Sequence, residues 1–189
     1  MDNITLFASV TENLQYFTGT FVIDADGGGT GVGKISAVGI GTGWAVGDYA
    51  QLTGTANSNI IIKITYIHTD DSYIYATPVS ENGATVAFGA DENGTGDEKM
   101  NQIYYTGWQD LSGFWEISGT VYSSGACDVI LQQSWAGAYV DVAGTKSDVS
   151  AVTPTMADED VKCLFGRMKI LSEDADMTAM RAYFGGKGR

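Results

Sequence analysis

The chain has 189 residues, a formal net charge of −13 and 44% hydrophobic residues, which is enough apolar material for a core and excludes a disordered chain. The negative charge argues against nucleic-acid binding and against an anionic membrane surface, because contacts with phosphate need lysine and arginine. The 25 glycines and only 2 prolines favour strands joined by turns and bulges.

Alternating apolar residues predict strands along the first half of the chain. Ile60, Ile62 and Ile64 alternate with residues that face the other way, and a period of two is typical of half-buried strands. We predict strands at 18–25, 33–39, 48–54, 60–68, 72–79 and 84–88. Short strands at regular spacing, each followed by a turn, predict a small N-terminal β-barrel over residues 1–92.

A glycine-rich run at residues 28–34, GGTGVGK, fits the G-x-x-x-x-G-K core of a phosphate-binding loop. The motif needs Ser or Thr after the lysine to hold magnesium, and Ile35 stands there instead. The residues that follow alternate like a strand and do not predict the helix whose N-terminus would cradle phosphate. We therefore interpret the run as a hairpin turn and predict no nucleotide cofactor.

An acidic, glycine-containing segment, GADENGTGDEKMN, covers residues 89–101. The segment lacks apolar periodicity, which is typical of an exposed linker or a long acidic loop. It divides the chain into two predicted domains, residues 1–92 and residues 100–189.

The second half also predicts strands, at 102–108, 113–123, 127–135, 138–143, 160–171 and 177–185. Trp115, Ile117 and Val121 follow one apolar face, so Trp115 is expected in the core. Residues 144–159 show no clear period and predict a long crossover loop. The size and pattern favour an antiparallel, jelly-roll-like β-sandwich over residues 100–189, so the predicted fold class is all-β.

No residue pattern in the chain predicts a catalytic or metal site. His68 is the single histidine, and no Gly-x-Ser-x-Gly segment occurs, so a nucleophile–base pair is not indicated. One histidine with two distant cysteines, Cys127 and Cys163, does not fit a zinc site. The expected protein is non-enzymatic, although a glycosidase needs only two carboxylates and a small glycan-active enzyme remains a second alternative. The two cysteines are expected to be free, with a disulfide left open.

Two groups of residues are candidates for an interface. Basic residues concentrate after position 161, so Arg167, Lys169 and Arg181 are interpreted either as a surface that meets an acidic neighbour or as solvated residues on strand faces. Trp135 and Tyr139 flank a short turn, which favours an exposed aromatic pair of the kind that anchors protein interfaces or stacks on sugars.

Segment 46–79 resembles a small β-barrel module of virion proteins from tailed bacteriophages. The shared pattern is a Gly-Asp start, a strand, a Gly-Thr/Ser-x-x-Asn turn and two strands joined by an acidic turn. It falls here on Gly47-Asp48, on Gly54 to Asn57 with one residue fewer between Thr55 and Asn57 than in the pattern, and on Asp70-Asp71. A glycine often follows the asparagine in that family, and Ser58 stands there in this chain.

Segment 114–144 resembles a recurring sandwich of phage structural proteins. In that pattern a Gln-Gln-Ser precedes a short glycine turn and an aromatic strand. The pattern falls here on Gln132-Gln133-Ser134, Gly137 and Tyr139.

These resemblances imply a virion component, made in the host cytoplasm and located in the virion. The role they favour is a capsid decoration (cement) protein that binds and stabilises a phage head. The implied partners are the major capsid protein or other virion proteins, and the implied state is a homo-oligomer, with a trimer favoured. The alternative is a tail, baseplate or head-fibre component with receptor or glycan binding.

Overall fold

A computed structural model describes residues 5–7, 14–28, 31–54, 57, 59–81, 86–89, 91–93, 98–138, 140–144, 147–150, 155–173, 177 and 180–188. Within these residues the regular elements are antiparallel β-strands, and no helix is present. The predicted all-β class is confirmed. The strands are β1 (Thr5–Phe7), β2 (Tyr16–Thr18), β3 (Val22–Asp24), β4 (Gly33–Ser36), β5 (Tyr49–Thr53), β6 (Ile61–Ile67), β7 (Tyr73–Val79), β8 (Glu92–Asn93), β9 (Lys99–Tyr105), β10 (Gln109–Asp110), β11 (Phe114–Ser123), β12 (Cys127–Ser134), β13 (Val142–Ala143), β14 (Ser147–Val149), β15 (Thr155–Asp160), β16 (Phe165–Ser172) and β17 (Met180–Gly188).

The chain divides into two compact units. The first unit is residues 15–103, and the second unit combines residues 1–14 with residues 104–189. The sequence pattern gave no sign that the N-terminal residues group with the C-terminal half. The predicted linker, 89–101, contains β8 and the start of β9, and its residues 90 and 94–97 lie outside the described residues. Glu98, Met100 and Asn101 in this segment are buried, so the prediction of an exposed linker is wrong for these three residues and stays a prediction for the others.

One antiparallel sheet organises the first unit. Its strands follow the order β9-β5-β6-β7-β4-β3-β8, and β2 pairs with β9. Alternation along each strand sends one set of side chains inward, so that Ile62 and Ile64 are buried while Lys63 is exposed. The core that results includes Phe21, Ile23, Ile35, Ile40, Trp44, Leu52, Ile74 and Met100. No closed barrel is found among the described residues.

Two groups of strands build the second unit. One is a sheet in the order β1-β17-β11-β15, and the other places β12 beside β16, with β13 and β14 on β12 and β10 on β16. A single core cluster draws side chains from both groups. Ile117, Val121 and Phe184 come from the first, and Val129 and Ile170 come from the second.

Three predictions for connecting segments differ from the structure. The predicted loop at 144–159 contains β14 and β15. β15 pairs with β11 along its whole length and lies at the end of its sheet, although its sequence TMADED has no apolar alternation. Residues 86–88 of the strand predicted at 84–88 do not form a strand, and residues 82–85 lie outside the described residues. The strand predicted at 138–143 is reduced to β13, and residue 139 is also outside them.

The prediction that Trp115 is a core residue is wrong. The pairing of β11 with β17 shifts between Phe114 and Glu116, so Trp115 is the extra residue of a β-bulge. A bulge reorients its side chain relative to the regular alternation. Trp115 is 47% exposed, whereas Ile117 on the same strand is 2% exposed. The Trp115 indole instead donates a hydrogen bond to the Gly188 carbonyl at 3.1 Å.

The two residues are expected to differ strongly in their contribution to stability. Ile117→Ala should lower the free energy of unfolding by about 2–4 kcal/mol, because it leaves a cavity in the core. Trp115→Ala should cost about 1 kcal/mol or less, because the side chain is half exposed. Urea unfolding followed by far-ultraviolet circular dichroism measures both variants. An equal loss in the two would place Trp115 in the core after all.

Candidate functional site

The structure places the predicted interface residues in different environments. Trp135 is 59% exposed, Arg181 is also exposed, and Arg167 is half-buried. Lys169 is only 5% exposed, so its side chain does not contribute to an exposed basic surface of this chain. Tyr139 lies outside the described residues. An interface role for the accessible members of this set stays a prediction.

Arg167 lies against two aromatic rings. Its guanidinium carbon lies 4.1 Å from the Tyr105 ring centroid and 4.8 Å from that of Trp108. Its Nε donates a hydrogen bond to Gln132 Oε1 at 2.8 Å, across the register of β12 and β16. Arginine stacks well on aromatic faces because its planar guanidinium is weakly hydrated. These contacts fix Arg167 in the fold of the second unit.

Gln133, in the middle of the Gln-Gln-Ser motif, joins two strands through its side chain. Its Oε1 accepts hydrogen bonds from the backbone N–H groups of Lys162 and Cys163 at 2.7 and 3.1 Å. Its Nε2 donates to the Asp160 carbonyl at 2.8 Å. Gln133 is fully buried. Its side chain supplies hydrogen-bond partners to backbone groups, in the connection between β15 and β16, that folding shields from water.

Ser134 and Asp141 hold the turn that follows the motif. Ser134 Oγ accepts hydrogen bonds from the backbone N–H groups of Ala136 and Gly137 at 3.1 and 3.0 Å. Asp141 Oδ2 accepts one from the Trp135 N–H at 2.7 Å. Gly137 has a φ of 70°, a conformation that glycine adopts without steric cost. The turn thereby presents Trp135 to solvent on a defined backbone.

The residues behind the other resemblance also hold turns. Asp48 Oδ2 accepts a hydrogen bond from the Ala45 N–H at 2.8 Å, just before β5. The buried Asn57 accepts one from the Gly89 N–H at 2.7 Å. The polar residues of segment 46–79 therefore organise connections between strands.

The glycine-rich run forms the hairpin that the sequence predicts. β3 pairs with β4, with Asp24 opposite Lys34, and Ile35 is fully buried in the core of the first unit. A strand therefore occupies the position where a phosphate-binding loop needs a helix N-terminus. Residues 29 and 30 of the run lie outside the described residues.

An acidic turn over residues 68–72 joins β6 to β7. His68 Nδ1 lies 2.5 Å from Asp70 Oδ1, and the same oxygen accepts the Ser72 N–H at 3.0 Å. Asp71 has a φ of 56°. Hydrogen bonds from Ser72, and then from His68, lower the pKa of Asp70 from 3.8 to about 2, because they stabilise the charged carboxylate.

Three carboxylates meet in the second unit, although they are distant in sequence. Oxygens of Asp128, Asp148 and Glu173 lie within 4.8 Å of one another. Asp128 and Asp148 are opposite each other on β12 and β14, and Glu173 follows β16. Sequence reasoning missed this group, because the strand predicted to be a loop brings Asp148 into place.

The two cysteines are free and buried. Desolvation raises the pKa of Cys127 to about 11 and also raises that of Cys163. Both are therefore protonated thiols at neutral pH, and the possible disulfide does not form. Thiols in this state are poor nucleophiles.

Sequence reasoning also missed a group of tyrosines on the outer side of the first unit's sheet. We call it the tyrosine face, and it consists of Tyr49, Tyr66, Tyr73, Tyr75, Lys34 and Lys63. The rings of Tyr66, Tyr73 and Tyr75 have centroids 5.5–6.1 Å apart. Desolvation, together with Tyr66 and Tyr75, raises the pKa of Tyr73. The alternation of Tyr73 and Tyr75 with the buried Ile74 was the signal that could have revealed this face.

No protein-family model matches the chain, and neither a curated protein nor a solved structure matches it. The resemblance of segments 46–79 and 114–144 to phage virion modules therefore stays a prediction. In the part of the chain that the structure describes, no helix has the length and apolar character needed to cross a bilayer.

Removal of the Gln133 side chain should destabilise the second unit. Gln133→Ala leaves one buried and two partly buried backbone groups without these hydrogen bonds, and we expect a loss of about 1–3 kcal/mol in the free energy of unfolding. Gln51→Ala is the control, since its amide makes a hydrogen bond in an exposed position and should cost about 0.5 kcal/mol. Urea unfolding compares the two. Equal, small effects would contradict the assigned role of Gln133.

The acidic turn should titrate at low pH. Because the pKa of Asp70 is lowered in the folded chain, its stabilising effect is complete above about pH 4 and is lost as pH falls towards 2. Ser72→Ala should raise the pKa of Asp70 towards its ordinary value, and Ser72→Thr should keep it low. Carboxyl chemical shifts in an NMR titration measure this. An unchanged pKa in Ser72→Ala would show that Ser72 is not the main cause.

Proposed function

We propose that the chain is a non-enzymatic structural protein of a tailed-phage virion, and specifically a capsid decoration protein that binds and stabilises the head. The observation that carries this proposal is that polar residues of segments 46–79 and 114–144 hold the connections between strands. Asp48, Asp70, Gln133 and Ser134 each hold a connection between strands. This use supports a rigid scaffold that presents loops and sheet faces to partners.

The finer architecture in this proposal is a small β-barrel followed by a jelly-roll-like β-sandwich. The sandwich is supported by the core of the second unit, which draws on both groups of strands. Face-to-face packing of two sheets buries the inward side chains of each in this way. The barrel rests on the resemblance of segment 46–79 alone.

The proposed partners are the major capsid protein, or other virion proteins, and further copies of the chain in a homo-oligomer, with a trimer favoured. The charge of −13 per chain keeps free copies apart except where they dock. The proposed location is the virion surface, after synthesis in the host cytoplasm.

Quantitative mass spectrometry of purified virions tests this function. A copy number comparable with that of the major capsid protein is the expected result, together with binding of the purified chain to particles that lack it. A copy number far below that of the capsid protein would overturn the decoration role and favour a tail or baseplate. Absence from the particle would overturn both.

A second candidate function is receptor or glycan binding in a tail, baseplate or head fibre. The observation that favours it is the 59% exposure of Trp135 on a turn fixed by Ser134 and Asp141. An exposed indole on a rigid backbone suits stacking against a sugar ring. Glycan-array binding that is lost in Trp135→Ala would support this candidate over decoration.

A further inference from the structure

Three carboxylates of the second unit, Asp128, Asp148 and Glu173, lie side by side on β12, β14 and the end of β16, and we call them the carboxylate triad. Asp148 is directly opposite Asp128. The Glu173 N–H donates a hydrogen bond to the Ala126 carbonyl at 3.1 Å, which holds Glu173 beside the start of β12. Val129 is buried in the core, so the adjacent Asp128 side chain lies on the other face of the strand.

The carboxylate triad concentrates negative charge where water screens it weakly. Like charges directly opposite each other in an antiparallel pair are destabilising, and Asp128 and Asp148 form such a pair. One oxygen from each of the three side chains lies within 4.8 Å of the other two. Asp128 is only 6% exposed, and charges removed from water interact more strongly than charges at the surface. The triad therefore needs positive charge close by.

The described basic residues on this face of β16 supply only part of that charge. Lys169 is opposite Ile130, two residues along β12 from Asp128, and is itself buried. Arg167 lies further along the strand, where its guanidinium binds Gln132 and packs against aromatic rings. Three carboxylates against one lysine leave two negative charges among these residues, which is the charge that one divalent cation balances.

One oxygen of Asp128 is also unsatisfied. Asp128 makes other interactions, but its Oδ1 is buried and accepts no hydrogen bond within the part of the chain that the structure describes. A buried oxygen without a donor is costly, and buried charges are normally paired or bound to metal ions. This observation is independent of the spacing of the triad, and it indicates the same kind of ligand.

We propose that the carboxylate triad binds one Ca²⁺ ion. Its ligands are oxygens, which suit Ca²⁺, Mg²⁺ and Mn²⁺ better than softer metals. Each oxygen bound to Ca²⁺ lies about 2.3–2.6 Å from the ion, so two of them can be up to about 4.6–5.2 Å apart, whereas on Mg²⁺ the limit is about 4.2 Å. The 4.8 Å span of the triad falls within the range for Ca²⁺. Backbone carbonyls and water complete the coordination sphere.

A bound ion would join three segments of the second unit that are distant in sequence. Asp128 belongs to β12, Asp148 to the short strand β14, and Glu173 follows the last residue of β16. An ion that binds the folded chain and not the unfolded chain stabilises the fold in proportion to the logarithm of its concentration. The proposed site is therefore structural, and it is independent of the role proposed for the whole protein.

Isothermal titration calorimetry with Ca²⁺, on protein stripped with a chelator and returned to chelator-free buffer, tests this proposal. One Ca²⁺ should bind per chain with a dissociation constant below about 1 mM. Asp148→Asn should raise that constant about tenfold or more, because it removes a ligand charge at an exposed position. Asp160→Asn is the matched control, since Asp160 is an exposed aspartate of β15 in the same unit, and it should bind Ca²⁺ as the wild type does.

Glu173→Gln gives a second, independent test with the same expected weakening, and circular dichroism melts verify that each variant is folded. Millimolar Ca²⁺ should raise the Tm of the wild type and of Asp160→Asn, but not that of Asp148→Asn. The proposal is overturned if no heat beyond dilution is seen at millimolar Ca²⁺, as expected if Lys169 alone compensates the triad. Equal binding by the Asp148 and Asp160 variants would also overturn it, because it would indicate adventitious binding to an acidic surface only.

Discussion

The fold depends on the alternation of side chains along antiparallel strands. Each strand sends every second residue into a core, and the residue between faces the other way. In β6 this places Ile62 and Ile64 inside and Lys63 outside. Because the period is two, a shift of one residue in any pairing would expose the core and bury the charged set. Burial of the apolar side chains therefore fixes the register of strand pairing. The same register determines which side chains each strand exposes on its other face.

Connections between strands depend on polar side chains that satisfy backbone groups. The buried Gln133 binds three backbone groups between β15 and β16, and Asn57 binds the Gly89 N–H from a buried position. Backbone groups removed from water need such partners, since an unsatisfied one is costly. Gln133 and Asn57 both belong to the sequence patterns that suggested a function. In the structure, their side chains hold connections between strands in place.

Aromatic rings lie against several cations of this protein. Lys34 contacts the Tyr73 ring and Lys63 the Tyr49 ring on the outer side of the first unit's sheet. A lysine stem covers apolar ring surface while its ammonium stays near water. In the second unit Arg167 is similarly placed against Tyr105 and Trp108. For Lys34, Lys63 and Arg167, contact with an aromatic ring therefore helps to fix where the positive charge lies.

The sequence by itself determined the all-β class and the strands with strong apolar alternation. β6, β7, β11 and β12 begin and end within one residue of their predicted bounds, because burial of one face imposes the pattern. Tertiary structure alone decided the rest. β15 forms since β11 offers it a partner, and a bulge turns Trp115 outward. Pairing across strands also places Tyr66 beside Tyr75, since local periodicity carries no information about which strands become neighbours.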